Sequence, residues 1–387
     1  MYQTNNQPNT RLYIVDALRG IAIAGIILLH YTIQMDFLRF SGANGIFNKM
    51  IVDFVNFALT GKMYSIFALL FGLSFFIQND NQMQKGKDFS LRFMWRMFLL
   101  LLLGIINTFF FSGDILVSYA LFGMLMPLAG KLSTKTLAFI TIFLLIQPVQ
   151  LYQIVAMLIN PNYPIIPFQY KYYDYDLIEK IRETGSFWEC GWNNLKMGLI
   201  MEVPWNLGTE RFTQLPGLFL LGIIIGRIRL FYNENGNMKK WLGILIISFL
   251  GFFFIYKFYT FMPDNSRQEL LPLLRAWSNL LLAFAYISQA VLLFYSFPLI
   301  NKLLMKVTHL GQASLTSYSL HSIFGAMFFY GWGFGLHRYC EPFISLLIGF
   351  GLIVFLFFFN VWWFKTHKRG PLEGLWKKLT WINAKTS

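Results

Sequence analysis

Charge is what this sequence has least of. Asp, Glu, Lys and Arg make up 13% of its 387 residues, where a soluble domain carries roughly 25%. A water-facing surface over a chain this long is therefore excluded, the more so because 56% of it is hydrophobic and its mean hydropathy is +0.52. Cysteine is nearly absent: Cys190 and Cys340 stand alone, without CxxC spacing, so neither a zinc site nor a redox motif is expected, and no metal is implied. Acid is scarcer than base, 18 residues against 32, for a net charge of +14. The bases are scattered between apolar runs and form no Arg/Lys stripe, so nucleic acid is not an expected partner. Also missing is an internal repeat. The two halves share no glycine, proline or charge pattern of the kind that marks inverted-repeat transporters.

What is present is apolar length. Stretches able to cross a hydrocarbon core, each needing about 20 residues, lie near 18–37, 51–77, 94–111, 115–130, 136–158, 213–231, 241–261, 277–299, 312–335 and 342–364. Backbone groups in lipid must bond within their own segment, so these read as helices. The expectation is an all-α membrane protein of about ten spans, one integral membrane domain over 1–387. Forty-three Phe, 19 Tyr and 11 Trp suit lipid-facing and interfacial positions.

Alternating sides places Arg11, then Lys85, Lys87, Arg92 and Arg96, then Lys131 and Lys135, then Arg227, Arg229, Lys239 and Lys240, then Lys302 and Lys306, and finally the tail 365–387 on one face. By the positive-inside rule that face is cytoplasmic, and both termini lie there. The other face receives an insert, about 159–211, rich in Asp and Glu. Within it, Asn160 to Pro164, Pro167, Tyr170, Tyr172, Tyr173 and Tyr175 read either as an aromatic lid for a flat ligand or as an interfacial belt. A helix is expected around Asp176–Thr184. The first span reads as a retained signal anchor and Met1–Thr10 as a polar tail. Cys190 and Cys340 share a compartment in this topology, which permits a disulfide without requiring one.

Ionisable side chains inside lipid cost roughly 2.5–3.5 kcal/mol at a helix centre, so each asks for a reason. His30 lies eleven residues past Arg19, about 16 Å along the axis at 1.5 Å per residue, near mid-bilayer. His321 lies at similar depth in the ninth span. Each reads alone as a neutral core histidine; two at one depth point to a shared cavity. Arg19 begins the span that carries His30, with Asp16 one turn earlier. Arg92 and Arg96, at i and i+4, share a helix side and read either as anion ligands or as positive-inside anchors. Asp114, in the hairpin Ser112-Gly113-Asp114, is a candidate sugar ligand or a helix cap. Lys62 either snorkels to the surface or faces the cavity of His30. Gly370-Pro371-Leu-Glu373-Gly-Leu-Trp376 reads as a structural anchor, with Trp376 and Trp381 resting on the membrane surface.

The opening Arg11-Leu-Tyr-Ile-Val-Asp16-Ala-Leu-Arg19-Gly20-Ile-Ala-Ile-Ala-Gly25, leading to His30, is similar to the start of the membrane acyltransferase-3 proteins. It resembles more closely still the YeiB family of bacterial inner-membrane proteins, a domain-of-unknown-function group. Further likenesses to YeiB are Lys62-Met-Tyr-Ser65 leading to Leu69-Leu-Phe-Gly72, Gly113-Asp114 to Gly123, Gly185-Ser186-Phe187, Leu221-Gly222 to Arg227, Leu310-Gly311 to Tyr318, and Gly370 to Trp376. YeiB relatives often carry an amide at the place of His30 and Gln at that of His321, so the two histidines draw this chain toward the acyltransferase group.

That resemblance implies a multi-pass protein of the bacterial cytoplasmic membrane that moves an acyl group, acetyl being one candidate, from cytoplasmic acyl-CoA to an envelope or secreted glycan. His30 and His321 are then the catalytic candidates, with His30 as base, since neutral imidazole accepts a proton well near pH 7. Arg19, Arg92 and Arg96 would meet the donor phosphates, and Asp114 and Lys62 the acceptor. Membrane lipids are the remaining partner, and no oligomeric state is implied. The competing expectations are a transporter or flippase for an envelope precursor or small molecule, with the histidines relaying protons, and a non-catalytic membrane component.

Overall fold

The computed structural model describes residues 11–36, 45–160, 175–234 and 236–382, and among them the chain is helical with no strand. In order come α1 Tyr13–Thr32, α2 Ile46–Leu59, α3 Lys62–Met83, α4 Ser90–Phe110, α5 Leu116–Gly123, α6 Met126–Gly130, α7 Thr134–Leu145 and α8 Pro148–Ile159. They are followed by α9 Tyr175–Thr184, α10 Phe187–Gly208, α11 Arg211–Arg227, α12 Asn237–Phe261, α13 Asp264–Ser296, α14 Pro298–Gln312, α15 Ser314–Phe329, α16 Pro342–Trp363 and α17 Pro371–Thr380.

Among the described residues, six helical stretches are long and apolar enough to cross a membrane: α1, α2 with α3, α4, α12, Leu270–Ser296 within α13, and α16. The pair α7 and α8, bent by 45° where Gln147 takes a left-handed conformation before Pro148, makes a seventh if it is one span. The protein is thus an all-α, multi-pass membrane protein. Outer faces of α12, with Ile247 67% and Phe254 70% exposed, present more apolar surface than water tolerates.

The other three apolar stretches form shorter helices. Residues 115–130 divide into α5 and α6, with Pro127 in the first turn of the latter. Helix α11 has 17 residues and α15 has 16. Both are largely enclosed by protein, and α15 carries Thr316, Ser317, Ser319, His321 and Ser322 buried along it. A helix that polar is satisfied by neighbours rather than by lipid.

Two glycine contacts set the packing at the centre. A Cβ on Gly311 of α14 would lie 1.8 Å from the Asp16 carbonyl oxygen of α1, and one on Gly222 of α11 would lie 2.2 Å from the Leu69 carbonyl oxygen of α3. Small residues let such backbones touch where lipid gives no hydrophobic drive between helices. Helix α1 is consequently held between α3, α14, α15 and α16.

In the insert, the expected helix at 176–184 is present as α9, and Ser186 with Glu189 forms a capping box at the start of α10. Arg182 of α9 is buried and donates to Ser112 Oγ (2.7 Å), to Asn194 Oδ1 and to the Met35 carbonyl (3.5 Å). The insert is therefore seated on the ends of α1 and α4. Its Asn162 to Tyr173 aromatic run and the Met1–Thr10 tail lie outside the described residues.

Candidate active site

The two intramembrane histidines meet. His30 Nδ1 is 3.0 Å from His321 Nε2, with ring centroids 5.2 Å apart and planes tilted by 27°. His321 is fully enclosed, whereas His30 is half-buried, with Phe111 4.8 Å from its ring. Tyr31, next to His30 on α1, donates to the His321 carbonyl (3.1 Å) and so binds α1 to α15.

The partners decide the tautomers. His321 Nδ1 lies against the Tyr318 carbonyl oxygen, which can only accept, so Nδ1 carries the proton. In the neutral ring Nε2 is then a bare acceptor. The 3.0 Å contact needs a donor, and His30 Nδ1–H supplies it. This leaves His30 Nε2 with a free lone pair, the atom of the pair able to take a proton from a reacting group.

Behind His321 runs a buried polar chain. Ser322 Oγ is 3.5 Å from His321 Nδ1, Asn107 Nδ2 donates to Ser322 Oγ (3.1 Å) and to Asp114 Oδ1 (3.1 Å), and Asp114 Oδ1 also accepts from Leu116 N (3.2 Å). Asp114 is 4% exposed, and Asn107 Oδ1 has no hydrogen-bond partner among the described residues. Asp114 thus joins the histidine network and holds the start of α5. Asn107 and Ser322 were not singled out in the sequence, although an amide within the apolar run of α4, in its last turn, is a signal of this kind.

A cavity of about 1830 Å³ opens at the end of the bundle where α1 begins. Nine cations line it, Arg11, Arg19, Lys85, Lys87, Arg92, Arg96, Lys368, Arg369 and Lys377, against three carboxylates, Asp16, Asp88 and Glu373. All three arginines expected at a donor site are here. Arg19 pairs with Asp16 (3.1 Å) and reaches Ser74, while Asp16 also holds Arg11 (2.9 Å). Arg92 donates to the carbonyls of Thr380 (3.0 Å) and Ile382 (3.2 Å), and the Arg96 guanidinium lies 3.6 Å above the Trp376 ring.

Leu116, Tyr119 and Tyr318 also line this cavity. Tyr318 is one turn before His321 and its ring centroid is 4.8 Å from that of His321. The histidines themselves are not part of the wall; Tyr318 stands between.

Two expectations are corrected. Trp376 does not rest on a membrane surface: it is buried, stacked on Arg96 and bonded through Nε1 to the Arg96 carbonyl (2.9 Å), while Trp381 stacks on Phe89. The tail folds onto α4 because each indole has an aromatic or cationic face to meet there, and Trp376 a carbonyl as well. Lys62 does not snorkel: it is buried with its ammonium 5.4 Å from the centre of the Phe57 ring. Cys190 and Cys340 are both free thiols.

Comparison with known proteins divides the chain in two. Residues 225–383 match the family described as "Protein of unknown function (DUF418)". Residues 11–172 match "Heparan-alpha-glucosaminide N-acetyltransferase, catalytic". The "Uncharacterized protein YxaH" of Bacillus subtilis (strain 168) is 25% identical over 97% of this chain and 95% of its own length. The "Uncharacterized protein YeiB" of Escherichia coli (strain K12) is 24% identical over 95% of each. The resemblance to YeiB holds along the chain. No solved structure matches. The acetyltransferase-like region contains His30, Arg19, Arg92, Arg96 and Asp114, and the DUF418 region contributes His321, so the 3.0 Å contact joins one region to the other.

Proposed function

We propose that this protein is an integral membrane acyltransferase that passes an acyl group, acetyl first among the candidates, from acyl-CoA to a glycan on the opposite side of the membrane. The observation that carries the reading is the histidine pair, whose hydrogen bonds leave His30 Nε2 unprotonated and whose His321 ring lies against Tyr318, a residue in the wall of a strongly basic cavity. The region matching an acetyltransferase catalytic model supports the same reaction class.

In this reading the basic end is cytoplasmic, both termini lie there, and the short helices α5 with α6, α11 and α15 complete ten crossings of the bacterial inner membrane. The donor phosphates meet Arg19, Arg92 and Arg96, and the thioester arm passes inward by Tyr119 and Tyr318. An acceptor hydroxyl or amine loses its proton to His30 Nε2 as it forms a bond to the thioester carbon. Collapse of the tetrahedral intermediate breaks the C–S bond, and the thiolate of CoA takes the proton back from His30. His321 acts through His30, holding its ring and tautomer as a carboxylate does in hydrolytic triads.

The test supplies radiolabelled acetyl-CoA to membranes containing wild-type or His30→Ala protein and follows label into polysaccharide. Transfer in the wild type alone is the expected result. Equal labelling in both removes His30 as base, and labelling in neither returns the chain to the transporter reading.

A further inference from the structure

The tail helix α17 touches both parts of the site. Helix α15, which carries Tyr318 and His321, begins after Ala313, a residue with no side chain able to cap it. The free amides of its first turn are met from 58 residues away. Glu373 Oε1 accepts from Leu315 N (2.7 Å) and Thr316 N (3.1 Å), and Glu373 Oε2 accepts from Thr316 Oγ (2.6 Å). Thr316 Oγ in turn accepts from Leu372 N (3.0 Å), which closes the bond pattern on both sides.

This is a helix cap supplied from another element, with the carboxylate placed where the helix dipole favours it. Burial pushes the Glu373 carboxyl up from its ordinary value, and the Thr316 and Leu315 hydrogen bonds oppose that rise. Three residues further along α17, Trp376 lies beneath the Arg96 guanidinium on the cavity wall. One ten-residue helix therefore grips the helix of His321 with one side chain and a cavity arginine with another.

We propose that α17 is a working part of the acyl-transfer site: Glu373 is a positioning residue that sets Tyr318 and His321 through the start of α15, and Trp376 holds Arg96 toward an anionic donor. This rests on the acyltransferase reading. It differs from a tail that merely anchors the chain, because the two side chains act on different kinetic quantities.

The experiment compares full-length wild type, Glu373→Ala, Glu373→Gln and Trp376→Leu in detergent, by amide hydrogen exchange over 314–321 and by kinetics with acetyl-CoA. Glu373→Ala speeds exchange in that segment and lowers kcat by about tenfold to a hundredfold, the cost of a misplaced catalytic group, while KM for acetyl-CoA stays within about twofold. Glu373→Gln, whose amide oxygen still accepts both backbone bonds, recovers most of the loss. Trp376→Leu shows the reverse split, with KM raised and kcat kept. Wild-type exchange in Glu373→Ala overturns the proposal, and so does a Glu373→Gln protein as impaired as Glu373→Ala. A wild type with no transfer sinks the acyltransferase reading, and the exchange arm still decides whether Glu373 holds α15.

Discussion

Removing the His321 ring tests whether that residue acts alone or through His30. In His321→Ala the His30 Nδ1–H loses its 3.0 Å acceptor and the Tyr318 carbonyl loses its donor. A buried polar group left without its partner costs about 1–3 kcal/mol, and each 1.4 kcal/mol is roughly a factor of ten in rate. If only the His30 share of that cost bears on the reaction, kcat falls by about tenfold to a hundredfold, against about 10²–10⁴ for loss of the base itself in His30→Ala. Because His321 works through His30, the double variant is no slower than His30→Ala alone. His321→Gln can still accept from His30 Nδ1–H through its side-chain oxygen, so it sits between wild type and His321→Ala. Single-turnover transfer from labelled acetyl-CoA measures all four. Strictly additive losses in the double variant, or a His321→Gln protein as slow as His321→Ala, refute the tautomer argument.

Two further outcomes follow from the cavity and the core. Arg19→Gln leaves Asp16 its bond to Arg11 but removes one deep cation, so KM for acetyl-CoA rises by about tenfold with kcat unchanged, and added salt raises the wild-type KM in the same direction; an unaltered KM takes Arg19 out of the donor site. Gly311→Ala puts a methyl 1.8 Å from the Asp16 carbonyl oxygen and 2.9 Å from Gly20 N, both backbone atoms that cannot swing aside. Forcing α1 and α14 apart costs about 1–3 kcal/mol, read as a lower melting temperature in detergent. Gly351→Ala on α16, where nothing lies within 4 Å, is the matched control and stays at the wild-type value.

Hydropathy was enough to find the lipid-facing helices, because α12 and α16 are apolar nearly throughout, with few buried polar residues, among them Ser248 on the first and Ser345 and Asn360 on the second. It was less informative for α5, α6, α11 and α15. Their apolar residues pack against protein, so their lengths are set by neighbours and, between α5 and α6, by Pro127 rather than by bilayer thickness. The tail misled for a related reason. Trp376 beside Lys377 and Lys378 has the pattern of an interfacial helix, and nothing local to it reveals that Arg96, 280 residues earlier, offers both a stacking face and a carbonyl.

The short motifs that carried the resemblance were legible one at a time, and their meaning lies in how they pair. Leu69 to Gly72 packs on Leu221-Gly222, where each helix needs the other's glycine. Gly20, in the opening motif, lies against Val307 and Gly311. Gly113-Asp114 meets the helix of Tyr318 and His321 through Asn107, Ser322 and the Ile115 amide on Tyr318 Oη. Gly370 to Glu373 closes on Leu315 and Thr316. Apart from the hairpin network's own short links, even the nearest of these partners, Glu373 and Thr316, are 57 residues apart, too far for any periodicity to connect them. A reader of the sequence could find the histidines at one depth, since depth is local arithmetic along a helix. That they touch depends on α1 and α14 approaching to backbone contact, which brings α15 over His30, and this follows from two glycines that carry no chemistry of their own.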